Sequence, residues 1–310
     1  MPKLVAVIVT YNSSAMIAKL LDNLLTQSRR LDAIIVVDNH SQDDTCQIIQ
    51  SYCQDSIILH RLSKNLGGAG GYAHGLEFAR KLHADYIFTF DDDSYPADHN
   101  YLVKMLQAQQ VYHWDVTCPV VVDSTDHTKT AYIYRYQNRE FISVKEIQNI
   151  KFIENDIKLF NGVLFQRNVL ELLQGPNPKL FIRGDEQEFR IRILDTGFKV
   201  GVCTSCLIYH PSSLHEYQTL GSRRFHHIDS PFKLFFSTRN RIYLLKNRQK
   251  FSLRKKMVLI GKELYYYTWF YMVHRHGDFE NYAVWLKAFG CGLTGYMNNH
   301  TGKRYLVKKQ

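Results

Sequence analysis

The stretch Tyr86-Ile87-Phe88-Thr89-Phe90-Asp91-Asp92-Asp93-Ser94 runs from apolar side chains straight into three consecutive carboxylates. Such a run reads as a buried strand that delivers acidic side chains to the end of a sheet. Three adjacent Asp are poor strand and helix formers, and they repel one another. A divalent cation would offset that charge, and oxygen ligands suit Mg2+ or Mn2+. The bland alternative is a solvated acidic turn.

Upstream, the same kind of apolar run recurs. Leu4-Val5-Ala6-Val7-Ile8-Val9 is continuous and β-branched, as in a strand buried on both faces of a parallel sheet. Thr10-Tyr11-Asn12-Ser13-Ser14 is its loop, and residues 16–26 then place Ile17, Leu20, Leu21, Leu24 and Leu25 at helical spacing. A second strand, residues 33–37, ends in Asp38-Asn39, and Ser41-Gln42-Asp43-Asp44 caps a helix to about residue 51. A third strand, residues 56–62, reaches Asn65, and Gly67-Gly68-Ala69-Gly70-Gly71 opens a helix through about residue 83. Strand and helix thus alternate four times in about 90 residues, which predicts an open, doubly wound parallel sheet. Ligands of such sheets sit outside the carboxyl ends of the strands. The polar clusters 10–12, 38–39, 65–71 and 91–93 all fall there.

Each cluster has a chemical rationale. Asp38 suits hydrogen bonds from a base imide or a ribose hydroxyl, or else it caps the following helix. The glycines let backbone N–H groups approach a diphosphate, with a helix N-terminus favouring negative charge; the plainer reading is a tight packing turn. The stretch is not a Walker A loop, since no Gly-Lys-Ser/Thr follows, and it trails the third strand rather than the first, unlike a dinucleotide fingerprint.

At 310 residues the chain holds one large domain, alone or with a smaller appendage, and its 45% hydrophobic and 22% charged residues are those of a globular protein. A net charge of +10 suits an anionic partner: nucleotide phosphates, nucleic acid or an anionic membrane surface. The 20 Tyr and 18 Phe crowd the C-terminal third beside Lys and Arg, which points to a membrane interface or a stacked ligand. No signal-peptide pattern precedes the first strand, and the best membrane-span candidate, residues 257–273, is interrupted by Lys262 and Glu263. The six Cys are scattered, as expected of reduced thiols in a cytoplasmic protein; Cys203 and Cys206 form a CxxC with no second pair to complete a zinc site.

The second half is less regular. Residues 115–122 and 159–165 read as strands, the latter with an Asn161-Gly162 notch, and residues 132–136 as a hairpin arm. Asn168 is placed to cap a helix over 169–173, and Gly175-Pro176-Asn177-Pro178 is a turn. Gly184-Asp185-Glu186-Gln187-Glu188 leads into a helix over 188–194. Its carboxylates are ordinary helix-start residues, or a general base for an acceptor hydroxyl. A strand over 199–208 ends at Tyr209-His210, where the imidazole is an available metal ligand or a structural His.

These residues together resemble the inverting family 2 glycosyltransferases of GT-A fold. The resemblance is carried by Val9-Thr10-Tyr11-Asn12, Val36-Val37-Asp38-Asn39-His40-Ser41, Asn65-Leu66-Gly67-Gly68-Ala69-Gly70-Gly71, Asp91-Asp92-Asp93, Asn161-Gly162, Gly184-Asp185-Glu186-Gln187-Glu188-Phe189 with Arg192, and Tyr209-His210. The glycine stretch is most like the bacterial branch that includes galactofuranosyltransferases and rhamnosyltransferases. Thr238-Arg239-Asn240-Arg241-Ile242-Tyr243 and Gly292-Leu293-Thr294-Gly295-Tyr296 also look like that branch.

The resemblance implies an α/β, Rossmann-like, mostly parallel sheet flanked by helices over residues 1–211, followed by a helical, basic and aromatic region over 212–310. Asp91 and Asp93 would form the DxD-type site holding Mn2+ or Mg2+ on the nucleotide diphosphate, with His210 completing the shell. Asp38 would contact the base. Thr10, Tyr11 and Asn12, with Asn65, Gly67, Gly68, Gly70 and Gly71, would line the nucleotide-sugar pocket. Asp92 would face the ribose or the sugar. The family pattern places the catalytic base on Glu186; the usual residue there is Asp, so Asp185 stays a second candidate. The implied reaction is a single, inverting displacement onto a hydroxyl of a growing cell-surface glycan such as an O-antigen, with UDP-galactofuranose the favoured donor and dTDP-rhamnose the alternative.

The basic, aromatic C-terminal region reads either as a surface for an anionic membrane, which suits a lipid-linked acceptor at the inner face of the cell membrane, or as an ordinary helical cap. Two other functions are weighed. A nucleotidyltransferase would carry a Gly-rich, basic loop after the first strand, which Thr10-Tyr11-Asn12-Ser13 is not. A non-catalytic nucleic-acid-binding protein suits the net charge but leaves Asp91–Asp93 without a use.

Overall fold

The computed structural model describes residues 2–306. The chain divides into two compact units. The first takes in residues up to Pro178 and Phe189–Leu214; the second takes in Lys179–Glu188 and the chain from His215 on. The second unit's main part begins at His215, and a ten-residue segment before it, Lys179–Glu188, counts with it.

In the first unit the order is β1 (Leu4–Thr10), α1 (Ile17–Leu25), β2 (Ala33–Asp38), α2 (Thr45–Ser51), β3 (Ile57–Arg61), α3 (Gly67–Lys81), β4 (Tyr86–Asp91), β5 (Tyr95–Pro96), α4 (Tyr101–Tyr112), β6 (Val116–Asp123), β7 (Lys129–Tyr136), β8 (Arg139–Ser143), α5 (Val144–Gln148), β9 (Ile153–Glu154), β10 (Asn161–Gln166) and α6 (Arg167–Leu173). Helix α7 (Asp185–Asp195) straddles the boundary between the units, and β11 (Val200–His210) completes the sheet. The strands run β3-β2-β1-β4-β10-β6-β11-β5, parallel from β3 to β4, with β10 antiparallel to both neighbours and β11 parallel to β6. This is the mostly parallel, helix-flanked sheet the sequence predicts, with β10 and the β7–β8 hairpin as antiparallel additions.

Strand β1 is buried along its whole length. Leu4, Ala6 and Ile8 pack on one face with Ile17, Leu20 and Leu21 of α1; Val5, Val7 and Val9 pack on the other with Tyr72 and Leu76 of α3. The strand order reverses at β1, which has β2 on one side and β4 on the other. That topological switch point opens a crevice at the strands' carboxyl ends.

The glycine stretch is not a loop: Gly67–Gly71 are already helical, the first turns of α3. A Cβ on Gly71 would lie 2.5 Å from Val9 Cγ1, and one on Gly75 would lie 2.4 Å from Val7 Cγ1. These glycines let the helix backbone lie directly on β1. Two further boundaries differ from expectation. Helix α6 begins at Arg167 after Gln166, so Asn168 sits inside it rather than capping it. Helix α7 begins at Asp185, so the acidic residues form its first turn rather than a loop before it.

Pro119 sits in the middle of β6 and has no N–H to donate, and β11 bulges opposite it: Cys203 pairs with Pro119 and Leu207 with Val120. The bulge brings Cys203 and Cys206 Sγ atoms to 3.0 Å, both as free thiols. Beyond it β11 resumes pairing and runs to His210, held by β5 through Ile208–Pro96 and Tyr209–Tyr95.

The second unit contains β12 (Tyr217–Leu220) and β13 (Arg223–His226), which form a two-stranded sheet, then α8 (Pro231–Asn247), α9 (Leu253–Trp269), α10 (Phe279–Thr294) and α11 (Asn299–Lys303). Its core is aromatic: Phe225, Phe235, Phe236, Tyr267, Phe270, Tyr271 and Trp285. Among the described residues no helix is long and apolar enough to cross a membrane.

In an open helix interior Gly→Ala stabilises by about 1 kcal/mol. Against Val7, which is fixed in a central strand, Gly75→Ala is expected instead to destabilise by about 1–3 kcal/mol, read from urea unfolding. A stabilising result would refute the close helix–strand contact.

Candidate active site

At the carboxyl edge of the first unit, register sets the polar side chains level. Thr10 pairs with Asp38 and Val9 with Asp91. Asp92 turns back onto the end of β1: its Oδ2 accepts from Thr10 Oγ1 at 2.8 Å and from the Tyr11 N–H at 3.1 Å. Burial pushes its carboxyl up to about 6; the charge of Asp93 adds to that and the two donors oppose it. Asp91 Oδ1 accepts from Tyr72 Oη at 2.6 Å, and the Tyr72 ring is stacked on Phe160 at 3.8 Å. Asp93 Oδ1 lies 3.3 Å from His210 Nε2. The other imidazole nitrogen, Nδ1, is 3.4 Å from Tyr132 Oη, whose ring stacks on His210. Burial lowers the His210 pKa, against the pull of Asp93. The pairing of β5 with β11 explains this meeting, since β5 begins two residues after Asp93.

The neighbouring loops are tied together. Asp38 is fully buried, accepts from the Ser41 N–H at 3.1 Å and faces Arg61 Nε at 3.4 Å. Asn12, at φ +51°, accepts from Gln42 N–H through its side chain and donates its own N–H to Ser41 Oγ. Asn65 Oδ1 accepts from the Gly67 N–H, and Asn39 holds the same turn through Leu66 N–H and Gly67 O. Tyr11 is 47% exposed at the end of β1.

Of the three expected metal ligands, Asp93 and His210 stand together, while Asp91 is engaged by Tyr72. Among the described residues no group of three or more His, Cys, Asp or Glu converges to hold an ion. The Asp93–His210 pair nevertheless suits one. Its 3.3 Å separation is close to that of two adjacent ligands on bonds of about 2.1 Å. Mg2+-type ions commonly take one or two protein ligands and complete their shell with substrate phosphates and water.

In the second unit the chain approaches α7 through Phe181, Arg183 and Gly184, at φ +68°, +61° and +95°. Asp185 is 5% exposed, whereas Glu186 is open to solvent. Burial, then the charge of Glu186, pushes the Asp185 carboxyl up to about 8. Desolvation by the surrounding protein raises Glu186 too, although the residue as a whole is exposed, and Arg183 opposes that rise. Arg183 is itself held by two 2.7 Å bonds to Glu216, whose carboxyl lies at about 2; hydrogen bonds from His226 and Arg183 hold it there against burial. Arg183, Glu216, Tyr72 and Tyr132 escape the sequence reading because each acts through a partner distant in the chain. Arg192, carried by the resemblance, donates to the carbonyls of Leu173 and Gly175 and fixes the turn after α6.

A glycosyl transferase family 2 model matches residues 5–173. Galactofuranosyltransferase GlfT1 of Mycolicibacterium smegmatis is 30% identical over 290 residues, spanning 91% of this chain and 93% of that one. The O-antigen chain rhamnosyltransferase RfbN of Salmonella typhimurium is 23% identical over 219 residues, 67% of this chain and 66% of that one. Residues 1–349 of Staphylococcus aureus TarS, solved in complex with UDP, share the fold at a TM-score of 0.58 and 16% identity, covering 98% of this chain and 87% of that one. The chain belongs to glycosyl transferase family 2 and is a glycosyltransferase of GT-A-like fold. The reading as a non-catalytic nucleic-acid-binding protein falls with that finding.

Folding raises the pKa of the Asp185–Glu186 pair, so between about pH 4 and about pH 8 the folded state binds more protons than the unfolded chain. The pair's contribution to stability therefore falls as pH rises through that window. Asp185→Asn is expected to match the wild-type Tm near pH 4 and to exceed it by a few degrees at pH 8. A difference that does not change with pH would contradict the raised pair.

Proposed function

We propose that the chain transfers galactofuranose from UDP-galactofuranose to a hydroxyl of a lipid-linked cell-surface glycan, inverting the anomeric centre. The observation that carries the donor assignment is the 30% identity to GlfT1 sustained over 91% of the chain. The rhamnosyltransferase similarity, at 23% over 67%, keeps dTDP-rhamnose as the second reading.

In this reading the nucleotide lies at the switch-point edge of the first unit. Exposed Asn12 and Tyr11 line it, Tyr11 offering a ring face to the base, while buried Thr10 and Asp38 hold Asp92 and the Ser41 turn in place behind them rather than contacting the base. The first turn of α3, beyond the Gly67 N–H that Asn65 takes, presents the backbone N–H groups of Gly68 and Ala69 toward the diphosphate. Asp93 and His210, with Asp91 a further candidate ligand that Tyr72 engages, would hold Mn2+ or Mg2+, which would supply positive charge for the leaving diphosphate. Tyr132 at Nδ1 leaves His210 Nε2 directed at Asp93.

Glu186 is the base. It is the accessible member of its pair, and its raised pKa brings its proton affinity closer to that of an acceptor hydroxyl. It takes the hydroxyl proton as the acceptor oxygen attacks the anomeric carbon and the bond to the diphosphate breaks. Buried Asp185 remains beside it, and the charge of Glu186 helps keep the Asp185 proton in place.

The second unit offers a lipid-facing surface. Helix α9 exposes Leu253, Met257, Tyr265 and Trp269, and Arg254 and Lys262 are exposed on it as well. Apolar and aromatic side chains flanked by cations suit the headgroup region of an anionic bilayer.

Offered a panel of nucleotide sugars with Mn2+, the protein is expected to turn over UDP-galactofuranose. Glu186→Gln should lower kcat by about 10²–10⁴-fold with UDP affinity unchanged, and Asp93→Ala should remove the metal requirement along with most activity. Turnover of dTDP-rhamnose alone would transfer the assignment to the second reading. In co-sedimentation, vesicles containing phosphatidylserine are expected to retain the wild-type protein and to release Met257→Glu/Trp269→Glu; equal retention would remove the α9 surface.

A further inference from the structure

We propose that Arg239 and Asn240, adjacent on α8, are positioning residues that set the Asp185–Glu186 pair. The inference rests on the reading of Glu186 as the base. Both side chains are 0% exposed, although one is charged and the other an amide. Most of their hydrogen bonds within the second unit go to one short stretch of backbone. Asn240 Nδ2 donates to the carbonyls of Leu180 at 3.0 Å, Ile182 at 2.9 Å and Arg183. Arg239 Nη2 donates to Leu180 O at 2.9 Å and, longer, to Lys179 O at 3.4 Å. These are the residues that lead directly into Asp185.

The amide is oriented by its neighbour. Arg239 Nε donates to Asn240 Oδ1 at 2.9 Å, and a guanidinium only donates. The oxygen is therefore fixed toward Arg239, and the NH₂ group faces the carbonyls. Arg239 is anchored at its other end by Asn299 Oδ1 at 2.9 Å. All its hydrogen-bond acceptors are neutral, so beyond the ring faces of Phe236 and Phe235, 4.7 and 6.0 Å away, the buried charge gains no ion pair to offset its desolvation. Such a costly arrangement requires more than the packing of α8, which any apolar side chain would serve.

The stretch it holds is strained. Phe181 and Arg183 adopt positive φ, a region unfavourable for residues with a Cβ, and Gly184 follows at φ +95°. A Cβ at Gly184 would lie 3.0 Å from Asn240 Cβ, so this turn rests on Asn240 itself. Arg183 is gripped twice: its carbonyl by Asn240 and its guanidinium by Glu216. Strain of this kind persists only where surrounding contacts over-determine it. Freed of Asn240, the turn is expected to relax, and the first turn of α7, which carries both carboxylates, would shift with it. A misplacement of about 1 Å at a reacting group costs on the order of 10²-fold in rate.

The test compares Asn240→Ala and the milder Asn240→Ser, each alone and in the Glu186→Gln background. Rates are expressed per UDP-binding site, counted by calorimetry, so that unfolded protein is excluded. Asn240→Ala is expected to lower kcat at least about 30-fold with the donor KM within threefold, and Asn240→Ser to fall between it and wild type. In the Glu186→Gln background the same substitutions should cost less than threefold, because they act through the residue already removed. If Asn240→Ala yields no UDP-binding protein, Asn240→Ser decides alone. A per-site kcat within threefold of wild type, or an equal loss in both backgrounds, would overturn the proposal. Wild-type-like turnover by Glu186→Gln alone would instead remove the base assignment on which it rests.

Discussion

The first unit depends on the closeness of α3 to β1. Gly71 and Gly75 leave no side chain between the helix backbone and Val9 and Val7, and β1 is closed on its other face by α1. A strand so enclosed has chemistry only at its end. The parallel pairings then bring the ends of β2 and β4 level with it. Thr10, Asp38 and the acidic run Asp91–Asp93 meet at one edge as a consequence of register rather than of any attraction among them.

Like charge is the recurring cost. At the sheet edge it is handled by giving each carboxylate a different partner: Tyr72 for Asp91, Thr10 and Tyr11 for Asp92, His210 for Asp93. At the start of α7 it is handled otherwise, by keeping a proton on the pair: Asp185 lies at about 8. A helix N-terminus ordinarily stabilises a carboxylate. Here burial outweighs that effect, and the pair's contribution to stability falls toward alkaline pH as a result.

Much of this was legible in the sequence. The β-branched runs, their polar ends and the alternation with helical spacing announced the parallel sheet, because those patterns are local. The meeting of Asp93 with His210 was foreseeable only through family resemblance, since it depends on a bulge opposite Pro119 and on a two-residue strand that periodicity does not reveal. The glycine stretch was half legible. Its place at a strand end and at the start of a helix was evident; that Gly71 and Gly75 press directly on Val9 and Val7 was not, because that contact is tertiary. Arg239 and Asn240 entered only through the resemblance of Thr238–Tyr243 to one branch of the family. What they hold, the turn before Asp185, lies about 60 residues away and has no local signature.

The account turns on a single displacement assisted by one base. The anomeric configuration of the product, read by 1H NMR against that of the donor sugar in the nucleotide, tests it most directly. Inversion is the predicted result. Retention of the donor's configuration would require either a covalent intermediate or a same-face mechanism, and would contradict the role given to Glu186.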